Sequence, residues 1–138
     1  MENTTADRER PVGQPKVLLV EDNPAMRALI RSLVEQITPV VHECDDGQAA
    51  VEAYEGLQPD CVLMDIKMAG LDGIAATREL RSVDPAAKVV IVTGHGGKEY
   101  RTAAEAAGAC AFLLKENLLE LPSLLRSVLH VPLEPGAR

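Results

Sequence analysis

Val62-Leu63-Met64-Asp65 is an apolar run too short for a globular helix, and it reads as a buried parallel strand that ends in a carboxylate. The loop after it, Ile66-Lys67-Met68-Ala69-Gly70-Leu71-Asp72-Gly73, holds two glycines and an Asp that can cap a helix opening near Ile74. In open α/β sheets the ligand crevice lies beyond the carboxyl ends of the strands, so an acid delivered there stands where chemistry is usually done. Taken alone, Asp65 could equally be a turn residue. The other strand ends decide.

Working outward, the same rhythm recurs. Lys16-Val17-Leu18-Leu19-Val20 is closed by Glu21-Asp22, and Asn23-Pro24 then puts a capping residue ahead of a proline at the first helical position. Met26, Leu29, Ile30, Leu33, Val34 and Ile37 recur with helical spacing and are expected to face the core, leaving Arg27, Arg31 and Glu35 to water. Val40 to Cys44 alternates weakly, as an edge strand does, and leads through Asp45-Asp46-Gly47 into a helix burying Ala50, Val51, Tyr54 and Leu57. A third helix runs from Ile74 to Arg81 and stops before Pro85. Lys88 to Thr93 is a fourth strand, and the glycine-rich Gly94-His95-Gly96-Gly97 leads into a helix from Tyr100 to Ala107 that Gly108 ends. Ala109 to Leu114 is the fifth strand, closed by Lys115; a last helix carries Leu121, Leu124, Leu125, Val128 and Leu129, with Pro122 in its first turn.

Five strands alternating with five helices imply an α/β fold, a doubly wound parallel sheet with helices on both faces. The 138 residues suit one domain, expected over 15–131 between an N-terminal arm, 1–14, and a short tail, 132–138. Only Tyr54, Tyr100 and Phe112 are aromatic, so the core must be aliphatic and alanine-rich. A net charge of -7 with no basic stripe gives no electrostatic source of affinity for nucleic acid. No run approaches the roughly 20 apolar residues of a membrane span, and a cytoplasmic location is the expectation. Cys44, Cys61 and Cys110 lack metal or redox spacing and read as buried thiols, while His42, His95 and His130 read as surface histidines.

A parallel sheet puts Glu21, Asp22, Asp65, Thr93 and Lys115 on one edge. Singly they read as capping acids, a strand-end hydroxyl and a solvated lysine. As a set they describe a site. Carboxylates about 4 Å apart repel by about 4 kcal/mol per pair at an effective dielectric near 20, so positive charge must enter. Lys115 supplies part of it, and an all-oxygen donor set suits Mg²⁺ for the rest. Phosphoryl transfer asks mainly for in-line positioning and charge neutralisation, which Asp65 as nucleophile, Lys115 and the Thr93 hydroxyl can serve.

In this arrangement the chain resembles the receiver domain of two-component response regulators, of the chemotaxis-regulator type and apparently stand-alone. The marks are Val20-Glu21-Asp22-Asn23, Asp46-Gly47, Leu63-Met64-Asp65-Ile66-Lys67-Met68, Asp72-Gly73, Val92-Thr93-Gly94, Gly108-Ala109 and Phe112-Leu113-Leu114-Lys115. The resemblance implies a sheet order of 2-1-3-4-5 and a phosphorelay role: Asp65 accepts a phosphoryl group from a sensor histidine kinase or histidine phosphotransfer protein. It implies Mg²⁺ held by Glu21, Asp22, Asp65 and the Lys67 carbonyl, and Thr93 and Phe112 as switch residues. It further implies that Lys67 and His95 tune the lifetime of the phosphorylated state. Activity would be limited to self-phosphorylation and self-dephosphorylation. The downstream partner is unknown, and the face of the fourth helix, fifth strand and fifth helix is the candidate partner or homodimer surface. A Mg²⁺-dependent phosphatase of the haloacid dehalogenase type is the enzymatic alternative, but Lys67 stands where that family needs a second acid. A scaffold pseudo-receiver would have lost Asp65, Lys115 or the acid pair, and none is lost. Glu116 follows Lys115 where the family often has proline, so a trans peptide bond or a locally rebuilt loop is expected there. Ala69-Gly70 replaces a commoner proline and should loosen the loop after Asp65.

Overall fold

The computed structural model describes residues 14–132, so most of the expected arm and tail lies outside the described residues. Strands β1 (Val17–Val20), β2 (Val41–Cys44), β3 (Cys61–Met64), β4 (Val89–Thr93) and β5 (Ala111–Leu114) alternate with α1 (Pro24–Val34), α2 (Gly47–Leu57), α3 (Gly73–Val83), α4 (Lys98–Ala107) and α5 (Leu121–Leu129). All strand pairs are parallel and the sheet order is β2-β1-β3-β4-β5. That is the expected doubly wound sheet, with β2 on an edge. No helix among the described residues is long and apolar enough to cross a membrane.

Burial follows position in the sheet. The inner strands β1, β3 and β4 are buried along their whole length, whereas β2 exposes His42 and Glu43. Alternate residues of the inner strands feed two cores. Leu19 and Leu63 pack with Ile30 and Val34 of α1 and Leu121 and Leu125 of α5 on one face. On the other face, Leu18, Val62 and Met64 pack with Tyr54 of α2, Leu80 of α3 and Ala104 of α4. Each fully buried aliphatic side chain contributes about 1.5–3 kcal/mol, so the aromatic-poor core is held by number rather than size.

Caps set where several helices begin and end. Asn23 Oδ1 accepts from the Met26 N–H at 2.9 Å, Asp46 Oδ1 from Ala49 at 2.7 Å, and Asp72 Oδ1 from Ala75 at 2.9 Å. Gly108 ends α4 at φ +100, a left-handed conformation in which a side chain is strained.

Two expectations change. Leu29 is 49% exposed: it lies about 100° round the helix from Ile30, outside the stripe that Ile30, Leu33 and Val34 present to the core. Among the cysteines only Cys61 is buried; Cys44 is half-buried on the edge strand and Cys110 is exposed just before the other edge strand. Between β5 and α5 lies a 3-10 segment, Lys115–Glu120, which buries Leu118 and leaves Leu119 at the surface. The described residues contain no cis peptide bond, so Lys115–Glu116 is trans as Glu116 led us to expect.

Candidate functional site

The parallel ladder continues one residue past β1 and β3, and this places the acids. The Glu21 N–H donates to Cys44 O at 3.1 Å and the Asp65 N–H to Val20 O at 3.2 Å, so both acids are fixed by sheet hydrogen bonds. Both are buried, at 1% and 6% exposure, whereas Asp22 is exposed. The loop beyond Asp65 is pressed against the start of α3. A Cβ on Gly73 would lie 1.8 Å from the Asp65 carbonyl oxygen, so only glycine fits, and the Gly73 N–H bonds Ile66 O at 2.8 Å.

Carboxylate oxygens of Glu21, Asp22 and Asp65 all lie within 4.8 Å of one another. At that spacing each pair repels by about 3–4 kcal/mol at an effective dielectric near 20. Lys115 offsets part of this: Nζ stands 2.9 Å from Glu21 Oε1 and donates to Asp65 Oδ2 at 3.0 Å. The other Asp65 oxygen accepts from the Ile66 N–H at 2.8 Å, and Glu21 Oε2 from the Asn23 N–H at 3.1 Å. Burial pushes the Glu21 carboxyl above the usual range; Lys115 and the Asn23 N–H pull it back, and Asp65 adds to the rise. Burial pulls the Lys115 ammonium down, but its bonds to Glu21 and Asp65 outweigh that and leave it raised.

The donor set suits a hard divalent cation. Glu21 Oε1 is buried and takes no well-aligned hydrogen bond, since Lys115 meets it as an ion pair only. An oxygen-only cluster with one exposed member leaves room for waters, which Mg²⁺ retains more readily than most ions.

The remaining predicted residues divide. Thr93 ends β4 fully buried, and its hydroxyl accepts from the His95 N–H at 3.2 Å. Phe112 is half-buried on the face of α4, with the Arg101 guanidinium 4.5 Å from its ring centroid. Lys67 and His95 are both exposed, and both meet Tyr100: Lys67 Nζ is 5.3 Å from the ring centroid, and the His95 ring centroid is 5.4 Å away. Sequence reasoning missed this shared contact, because three separate segments create it. It also missed Arg27, whose Nη1 donates to the Glu21 carbonyl at 2.7 Å. A shallow cleft of about 300 Å³ beside the site is lined by Asn23, Ala25, Met26, Leu29 and Lys115. A larger cleft, about 570 Å³ and lined by Tyr54, Asp60, Asp84 and Lys88, opens at the far end of the sheet. There Tyr54 already bonds Asp84 and Lys88 bonds Val128 O, so we do not take it as the site.

A family model described as the response regulator receiver domain matches residues 17–126. The chain belongs to the response regulator receiver family. This receiver is 36% identical to the chemotaxis protein CheY of Halobacterium salinarum over 116 residues, 84% of this chain and 95% of that protein. It is also 36% identical to the response regulator GacA of Pseudomonas aeruginosa over 116 residues, 82% of this chain and 54% of that longer protein. Among solved structures, a LuxR-family response regulator from Aurantimonas sp. superposes on the receiver with a TM-score of 0.78 at 33% identity, covering 85% of this chain and 86% of that one. Receivers of this family bind Mg²⁺ at an acidic pocket, and Glu21, Asp22 and Asp65 form the corresponding cluster here.

Proposed function

We propose that this receiver takes a phosphoryl group on Asp65 from a phosphohistidine, on a sensor histidine kinase or a histidine phosphotransfer protein, and changes its protein partner when loaded. The observation that carries this reading is the Lys115 ammonium bridging two buried carboxylates, Glu21 and Asp65, both of which belong to the three-acid cluster with Asp22. In the reaction a carboxylate oxygen of Asp65 forms the P–O bond as the P–N bond breaks, and the electron pair stays on the imidazole nitrogen. Mg²⁺ held by Glu21, Asp22 and Asp65, with the Lys67 carbonyl as the further protein ligand, would neutralise phosphoryl oxygens. Lys115 keeps Asp65 oriented through its bond to Oδ2 and stands ready to pair with the incoming phosphoryl oxygens.

Thr93 and Phe112 carry the outcome. New acceptor oxygens at Asp65 draw the Thr93 O–H as a donor while its oxygen accepts from the His95 N–H, so the loop moves with the hydroxyl and opens space for Phe112. The face of α4, β5 and α5 then presents a changed surface to a partner or a second copy. Leu29, exposed beside Met26 on the cleft at Lys115, gives a phosphodonor an apolar footing near Asp65. We take residues 15–131 as the receiver unit and the cytoplasm as its location, where such donors act.

Incubation with purified phosphohistidine donors tests the reading. Transfer should appear on the wild-type chain with at least one donor and vanish in Asp65→Asn; transfer that persists in Asp65→Asn would put the acceptor elsewhere.

A further inference from the structure

Arg27 is the one arginine whose side chain reaches the acid-bearing turn among the contacts described. Its Nη1 donates to the Glu21 carbonyl at 2.7 Å while its Nε donates to Glu43 Oε1 at 2.9 Å. Glu43 belongs to β2, opposite Leu19 of β1, and its second oxygen is taken by Arg31 from the next turn of α1. The guanidinium therefore ties three elements together: α1, the edge strand β2, and the peptide joining Glu21 to Asp22. The planar fork of arginine makes such a two-point brace possible, and an ammonium cannot reproduce it.

That peptide is under load. Glu21 and Asp22 are consecutive, both contribute to a cluster within 4.8 Å of Asp65, and their mutual repulsion favours splaying the turn open. Glu21 is held on its N–H side by the sheet, through Cys44 O. On its carbonyl side, where the chain turns toward Asp22, the side-chain hold is Arg27.

We propose that Arg27, braced by Glu43, is a positioning residue for the divalent cation: it sets the Glu21–Asp22 peptide so that both carboxylates meet the ion together. The inference rests on the reading of the acid cluster as a Mg²⁺ site. Partners that orient metal ligands typically change affinity by about 10–100-fold when lost, and one brace on one peptide belongs at the lower end.

The sign of the effect separates positioning from charge. Deleting a positive side chain near a cation site should strengthen cation binding through electrostatics alone. Positioning requires the opposite. Mg²⁺ titration of the full chain by calorimetry, with chelator-treated protein and thermal melts alongside, reads both. We expect Arg27→Ala to bind Mg²⁺ about tenfold more weakly than wild type while remaining folded without metal. Arg27→Lys keeps the charge but not the fork, and should lose about threefold. Arg31→Ala, which removes an equal charge from the same Glu43 without touching Glu21, should bind as wild type or slightly tighter. Arg27→Ala binding as well as wild type, or Arg31→Ala losing as much as Arg27→Ala, overturns the proposal. If Arg27→Ala does not fold, Arg27→Lys decides: wild-type affinity in that variant overturns the brace. A wild-type chain that takes up no Mg²⁺ overturns the metal reading itself, and this inference with it.

Discussion

Replacing Lys115 by alanine should destabilise the fold by about 3 kcal/mol at pH 7 and by close to 1 kcal/mol at pH 5. The Lys115 ammonium stands 2.9 Å from Glu21 and 3.0 Å from Asp65, whose side chains are only 2% and 7% exposed. Removing one partner of a buried ion pair generally costs about 3–5 kcal/mol, because the charge left behind has neither water nor a counterion. Here Glu21 has an escape, which is to take up a proton. From its ordinary value of 4.5, protonation at pH 7 costs about 1.36 × 2.5, or roughly 3.4 kcal/mol, which caps what relieving that charge can cost. At pH 5 the same step costs about 0.7 kcal/mol.

The pH dependence has a definite sign. Glu21 is raised in the folded chain, so the folded state binds more protons than the unfolded one between 4.5 and that raised value. The resulting penalty is absent below the window and grows as pH rises through it. Without Lys115 its largest lowering influence is gone, and the window extends upward. The raised Lys115 contributes its own stability throughout pH 5–7, below its ordinary value of 10.5, so it adds no slope there. Urea unfolding of both proteins in chelator, followed by far-UV circular dichroism at the two pH values, reads the difference. A loss equal at pH 5 and pH 7 would refute the argument, since the buried charge would then not be what Lys115 neutralises.

Saturating Mg²⁺ should recover a substantial part of the Lys115→Ala loss at pH 7 in the same unfolding assay, because a second cation can answer the stranded acids. Gly73→Ala should cost at least about 2 kcal/mol by the same measurement, as its methyl group has no space beside the Asp65 carbonyl. Lys67→Ala and His95→Ala should each still load phosphate but change its decay severalfold, roughly 1 kcal/mol in the barrier, in a time course of phosphoprotein loss. Tyr100→Ala should move the decay as well, since both side chains rest against that ring. Phosphorylation should alter amide exchange over residues 94–100 and at Phe112 together; changes confined to α1 would count against the switch.

Strand ends were the most legible part of the molecule, because a short apolar run has few alternatives and a polar residue marks where each one closes. Asp65, Glu21, Thr93 and Lys115 were all visible on that ground, before any distance was known. Helix periodicity was blunter: it admitted Leu29 to the core stripe because spacing alone does not say how wide that stripe is, and the packing of α1 against the sheet does. It also sent Arg27 to water. A pattern of apolar and polar positions cannot show that a guanidinium folds back to a carbonyl six residues earlier while gripping an acid on another strand. The contacts of Lys67 and His95 with Tyr100 were hidden for a related reason, since they join three segments that only the tertiary fold brings together. The last helix begins where Pro122 placed it, but the 3-10 segment from Lys115 to Glu120 ahead of it went unread because six residues are too few to show a period.

Asp65 as the phosphoacceptor is the claim on which the rest depends, and exposure of the purified chain to a small acyl phosphate with Mg²⁺, read by intact mass and peptide mapping, tests it most directly. The account predicts one added phosphoryl group per chain, mapped to Asp65, lost in Asp65→Asn and suppressed by chelator. Labelling that survives in Asp65→Asn, or proceeds equally well in chelator, would contradict it.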